Sequence, residues 1–290
     1  MSLMGNNAKT VGLLALMTAL VWWIGIALFG EGGGLYIGLG FAILLNVAAY
    51  FFSDKLALAA SRAKPVEEHE LPAVYSIVRN LAARADMPMP RIYLIEAPQP
   101  NAFATGRNPS KAAIAVTTGI LQLMNNDELE GVLAHELSHV KNRDILISSI
   151  AAMLAAALTI FARMAFWFGG GSDNRNNPVA AIAALASIIL APIAAMIIRM
   201  AISRTREYQA DASGAEITGR PLQLASALGK LGTATARIPM EVNPAFAPLY
   251  IENPMKALRR RGGGFMKAFS THPPIEDRIE RLTQMASGIR

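Results

Sequence analysis

Four long apolar blocks interrupt an otherwise ordinary mixture of polar and apolar positions. The first, Thr10 to Gly30, reads TVGLLALMTALVWWIGIALFG and contains no charge. At about 1.5 Å per helical residue, such a run crosses a hydrocarbon core of about 30 Å. It is too long for the apolar part of a signal peptide, and no A-x-A-like site follows it. A second block, about Leu35 to Phe52, comes directly after the turn Glu31-Gly32-Gly33-Gly34, so the pair predicts a helical hairpin. Two more blocks, about Ile145 to Phe168 and about Pro178 to Ile198, are joined by the polar tip Gly169 to Asn177 and predict a second hairpin. Arg163 lies near the end of the third block, where an arginine can reach the interface. Pro192 kinks the fourth, which neighbouring membrane helices accommodate. The competing reading of this second pair is a buried core hairpin of a soluble domain.

Between the blocks the periodicity changes. Leu71, Val74, Ile77, Val78 and Leu81 share one face of a helix over Leu71 to Ala85. Arg91 to Glu96 reads as a strand entered through Pro88 and Pro90. Asn101 to Gly106 and Ala112 to Thr117 are further strand candidates, separated by the turn-rich Arg107-Asn108-Pro109-Ser110. Asn126 or Asp127 then caps a helix through Leu129, Val132, Leu133 and Val140. The chain divides into an N-terminal hairpin (1–53), a first soluble segment (54–144), a second hairpin (145–199) and a second soluble segment (200–290). The fold class is α+β, mainly α, with four transmembrane helices and a small β-sheet.

Composition sharpens this reading. Hydrophobic residues make up 53% of the 290 and charged residues only 17%, a bias that the four blocks explain. The net charge of +6 comes mainly from Lys and Arg near the block ends and in the last third. Lys9, Lys55, Arg62, Lys64, Lys141, Arg143, Arg199, Arg204 and Arg206 fall on one side of the expected bilayer. The other side has only Arg175 and Arg163. That asymmetry places both termini and both soluble segments in the cytoplasm. No aromatic-basic interleaving points to nucleic acid. With no cysteine in the chain, disulfides and Cys-ligated zinc are excluded, so a metal site must use His, Asp and Glu.

Such a site is spelled out in Gly131-Val-Leu-Ala-His-Glu-Leu-Ser-His-Val140, which contains H-E-x-x-H on the expected helix. Residues four apart share a helix face, so His135 and His139 can bind one tetrahedral zinc. Glu136, at the edge of that face, can act as general base on the attacking water. A catalytic zinc needs a third protein ligand, and Val140-Lys-Asn-Arg-Asp144 supplies no further His. Arg204-Thr-Arg-Glu-Tyr-Gln-Ala-Asp211, just after the fourth block, offers Glu207 as ligand and Asp211 to hold the free N–H of a ligating His. By spacing alone, a solvated face with pairing to Arg204 fits these residues as well. Asn142, Arg143 and Asp144 read as capping or orienting groups rather than ligands.

Four pieces together resemble the HtpX-type membrane zinc metalloproteases, relatives of the CAAX prenyl proteases. They are Pro100-Asn-Ala-Phe-Ala-Thr-Gly106, Ala134-His-Glu-Leu-Ser-His-Val-Lys-Asn-Arg-Asp144, Arg206-Glu-Tyr-Gln-Ala-Asp211 and Thr271-His-Pro-Pro274. The resemblance spans nearly the whole chain. It implies a zincin-like cytoplasmic domain, one Zn²⁺ per chain with Glu207 as third ligand, and quality control of membrane proteins in the bacterial inner membrane, often under stress. It also implies that His272 points into the site and helps stabilise the oxyanion, and that Asn101, Ala102, Phe103 and Ala104 pair with an extended polypeptide substrate. Two alternatives remain at this point: an intramembrane-cleaving metalloprotease, which the polar flanks of H-E-x-x-H disfavour, and a non-catalytic membrane scaffold with a structural zinc.

Overall fold

The computed structural model of the chain describes residues 3–169, 204–240, 242–243, 246–254 and 273–288. Helix α1, Leu3–Ala60, keeps helical hydrogen bonding throughout. Asn46 in its second half nevertheless donates to Thr18 Oγ1 at 2.7 Å and to the Leu14 carbonyl at 3.2 Å. In a straight helix those residues would lie about 40–50 Å apart. The two halves therefore double back against each other, and the midpoints of the bonded pairs fall at residues 30 and 32. An antiparallel pair is what the sequence predicts here. The difference is that helical bonding continues through the glycine-rich turn.

Leu13, Met17 and Val21 from the first half meet Ala42 and Ala49 from the second, together with Ile147, Ile150 and Leu154 of α5, Asp144–Gly169. Leu35–Ala60 is the one stretch among the described residues long and apolar enough to cross a membrane, and only 17% of its apolar window is buried. Tyr36, Ile37, Ile43 and Leu44 face outward, each more than half exposed. Thr10–Ala19 and Asp144–Ala156 are shorter apolar helical stretches. The fourth block (178–198), the side chain of Arg163, and His272 lie outside the described residues. Four membrane helices therefore remain an expectation. The described chain is mainly helical, with a small mixed sheet.

That sheet has the order β1-β2-β4-β3. Strand β1 (Lys64–Pro65) pairs antiparallel with β2 (Arg91–Ile95), β2 runs parallel to β4 (Ala113–Thr117), and β3 (Ala102–Thr105) closes the sheet antiparallel to β4. Alternate residues sort to opposite faces, as the period of two requires. Ile92, Ile114, Val116, Ala102 and Ala104 pack on α2 (Pro72–Arg84) and α4 (Asn126–Lys141), whereas Ile95, Phe103, Ala113 and Ala115 join the cluster of α1 and α5. Burial on both faces explains why β4 reads as nearly continuous apolar sequence. A short helix, α3 (Thr118–Leu123), links β4 to α4.

The cap of α4 is Asn125, one residue before the expected position. Its side chain accepts the Glu128 N–H at 2.9 Å, and Glu128 returns a bond to the Asn125 N–H at 3.1 Å. This reciprocal arrangement satisfies two end donors at once, which neither Asn126 nor Asp127 achieves. Three helices then pack around α4 and its neighbours: α6 (Arg204–Thr218), α7 (Pro221–Thr235) and α8 (Ile275–Ala286). Gly214 of α6 faces the backbone of α4, where a Cβ would stand 2.9 Å from the His135 nitrogen. The missing side chain lets α6 come close enough to deliver its acids to the histidines.

Candidate metal centre

Helical spacing on α4 stacks His135 and His139 edge to face, with ring centroids 4.8 Å apart. From α6, Glu207 Oε1 lies 3.5 Å from His139 Nε2 and Oε2 lies 3.9 Å from His135 Nε2. One ligand atom from each residue falls within 4.8 Å of the others. A tetrahedral ion with bonds of about 2.0–2.2 Å needs ligand atoms about 3.3–3.6 Å apart, so small side-chain adjustments suffice. Glu207 is buried, which excludes the solvated-face reading.

Each imidazole is held by its other nitrogen. His135 Nδ1 lies 2.9 Å from Asp211 Oδ1, and His139 Nδ1 lies 3.4 Å from Asp144 Oδ2. With Nδ1 donating and Nε2 unprotonated, each Nε2 lone pair is free for a divalent ion beside Glu207, and Arg278 Nη2 also comes within 3.5 Å of His135 Nε2. The sequence placed Asp211 in this orienting role and gave Asp144 a capping or orienting one.

Arg278 of α8 was not anticipated. It is completely buried, and it grips Asp211 with a planar fork, Nε to Oδ2 at 2.8 Å and Nη2 to Oδ1 at 2.7 Å. Its signal in the sequence is an anomaly of pattern. Ile275, Ile279 and Leu282 mark the inward face of α8, and Arg278 stands among them where an apolar residue belongs. Burial alone would raise the Asp211 carboxyl, but the charge and hydrogen bonds of Arg278, with His135, hold it at about 2. Burial also lowers His135, against the pull of Asp211, and so favours its neutral form.

His139 shifts the other way. Burial opposes its charged form, yet the bond to Asp144 and the nearby carboxylates of Glu207 and Glu136 outweigh it and raise the group to about 9. A proton held below about pH 9 stabilises the metal-free fold. That contribution is fully present below 6.5 and is lost as pH rises through about 9. The same proton must leave before a metal binds. The apparent zinc dissociation constant, measured by chelator competition, is therefore expected to fall about tenfold per pH unit from about 6.5 to 8.5. A flat profile would mean that His139 is already neutral in the metal-free protein.

Glu136 is buried on the side of α4 that faces the sheet, and its Oε2 accepts the Ala104 N–H at 2.9 Å. The expected substrate strand thus stands directly beside the expected base. It is not open, however: Asn101, Ala102, Phe103 and Ala104 are all buried. Asn101 Nδ2 donates to the Glu252 carbonyl at 2.7 Å, the Ile251 N–H donates to the Ala102 carbonyl at 2.9 Å, and the Phe103 ring packs edge-on against Tyr250 at 4.9 Å. The sequence, read as a strand that pairs with substrate, gives no sign of this cover, which comes from a segment some 150 positions away.

A family model for peptidase family M48 matches residues 68–286, a range that holds both histidines, Glu207, Asp211 and Arg278. The chain belongs to peptidase family M48. It is similar over nearly its whole length to proteins named "Protease HtpX homolog". The one from Syntrophobacter fumaroxidans is 51% identical over 288 residues, covering 97% of this chain and 100% of the relative. The one from Pelotomaculum thermopropionicum is 48% identical, covering 97% and 99%, and the one from Burkholderia multivorans is 50% identical, covering 98% of both. The crystal structure of S. mikatae Ste24p matches with a TM-score of 0.51 at 19% identity, over 96% of this chain and 66% of that one, a likeness of fold. As an M48 peptidase the chain is a metalloprotease, and His135, His139 and Glu207 are the residues that could hold its metal.

Proposed function

We propose that this chain is a multi-pass endopeptidase of the bacterial inner membrane, carrying one zinc ion, that cleaves misfolded or damaged membrane proteins at the cytoplasmic face. The observation that carries the catalytic half is the convergence of two imidazole Nε2 atoms and the Glu207 carboxylate beside Glu136. When bound there, zinc would supply a Lewis acid that polarises the scissile carbonyl and acidifies water. Glu136 takes the proton of the attacking water and returns it to the leaving amine. Asp211 and Asp144 keep the histidines oriented, and Arg278 keeps Asp211 in place. Residues 101–104 align the substrate backbone, and His272 assists at the oxyanion.

The outward apolar face of Leu35–Ala60 supports the membrane assignment. So does the start of the apolar helix α5 at Asp144, the residue that holds His139. The metal centre thus sits at the foot of an apolar helix, where membrane proteins would present their loops. An intramembrane centre fits less well, because the first turn of α4 carries exposed ion pairs, with Asp127 2.7 Å from Arg220. A structural zinc site is usually closed by four protein ligands, and three converge among the described residues. Purified protein in lipid nanodiscs is expected to contain about one zinc per chain, to lose casein cleavage on chelation and to regain it with added zinc. Undiminished cleavage by metal-free protein would reject the reading.

A further inference from the structure

Strand β3 can offer a substrate only the backbone groups that point away from β4. Those belong to Ala102 and Ala104, since Ala102 C=O and Ala104 N–H both bond to groups outside the sheet. Three of their four outward groups are engaged. Ala102 N–H donates to Asn101 Oδ1 at 3.1 Å, Ala102 C=O accepts from Ile251 at 2.9 Å, and Ala104 N–H donates to Glu136 at 2.9 Å. An incoming extended peptide would bring the same kind of N–H that Ile251 now supplies. The carbonyl oxygen can accept two bonds, but two chains cannot occupy the same space beside it.

The occupant is a short irregular run, Tyr250 to Asn253, buried and pinned at successive positions. Phe103 packs on Tyr250, Arg278 Nη1 reaches the Ile251 carbonyl at 3.5 Å, and Asn101 holds the Glu252 carbonyl. Gln99 holds the Pro254 carbonyl at 2.8 Å just beyond. Among the described residues one main-chain bond joins the run to β3, with the Glu252 N–H reaching Asn101 Oδ1 at 3.4 Å beside it, so the run is a strap across the edge rather than a fifth strand of the sheet. Asn101, assigned above to substrate, is spent on it.

We infer that residues 250–253 are an internal strap which occupies the substrate edge and withdraws when a polypeptide pairs with β3. The structure is then the latent form of the protease, and binding of an extended segment is what opens it. Selectivity follows: a chain already unfolded can compete for the edge at once, whereas a folded protein cannot. This inference rests on the endopeptidase reading above.

The test uses the full-length Glu136→Gln protein, zinc-loaded in nanodiscs, with and without an unstructured casein peptide whose binding is followed by fluorescence anisotropy. Hydrogen exchange of peptides covering 246–254 is expected to quicken by about tenfold or more when the casein peptide is bound. Binding with unchanged exchange there overturns the strap. A second variant, Ile251→Pro, deletes the N–H that fills Ala102. Tyr250 already has the extended backbone (φ −77°, ψ 148°) that a residue before proline prefers. If the variant folds with wild-type zinc content, casein cleavage is expected to rise about three- to tenfold in kcat/KM, the scale of one hydrogen bond. An unchanged or lower value overturns the proposal. Wild-type protein that neither binds nor cuts casein defeats the endopeptidase reading, and the strap with it.

Discussion

Replacing Glu136 by glutamine is expected to leave zinc content at its wild-type level while casein cleavage falls by about 10²–10⁴-fold. Glu136 lies outside the ligand triad, so the metal has no reason to leave. Its carboxylate instead faces β3 and accepts the Ala104 N–H at 2.9 Å, a bond that the amide oxygen of glutamine can keep. Shape and burial are preserved, and the loss is confined to the capacity to take a proton. A second consequence follows from charge. Glu136 is one of the carboxylates that raise His139, so the variant should bind zinc at lower pH than the wild type. Metal analysis, single-turnover cleavage and chelator competition on the same preparation check all three points. Cleavage at the wild-type rate would remove Glu136 from the mechanism.

What the sequence made legible depended on how local each cause is. The histidine pair is one helical turn on one helix, and the strands around Ile92 and Ile114 are short apolar runs between turn residues. Each is written within a few positions. The cap is Asn125 rather than the expected Asn126 or Asp127, because three polar residues in a row compete for that role and only the reciprocal bond with Glu128 separates them. Glu207 could be selected only with the help of a family pattern, since its partners lie on another helix and its burial is a tertiary fact. Arg278 left a trace as a charge in an apolar stripe. The cover on β3 left none, because it is built from backbone groups of Ile251 and Glu252, and a main-chain N–H looks the same at every position.

Arg278→Met is expected to destabilise the metal-free protein by about 3–5 kcal/mol, among the largest effects of any single substitution here. The guanidinium is completely buried, and its fork is what keeps Asp211 ionised inside the protein. Without it, Asp211 keeps His135 as a partner but loses a full positive charge at 2.7–2.8 Å. The carboxylate must then take up a proton, which weakens its hold on the Nδ1–H, or leave a proton on His135, which occupies the Nε2 lone pair. Zinc affinity is expected to fall about 10–100-fold in consequence. The pH dependence carries the sign. In the wild type, the depressed Asp211 group contributes stability above about pH 4 that disappears toward about pH 2. The gap between wild type and variant should therefore be widest near neutrality and narrow in acid. Denaturation in chelator, repeated across pH, separates this effect from simple loss of metal. Arg278→Lys, which restores the charge without the planar fork, should fall between the two. A lysine variant as stable as the wild type would show that charge alone suffices and that the fork geometry is incidental. Equal stability in the methionine variant would mean that Asp211 is held by His135 and the packing of α6 against α4, with Arg278 a bystander.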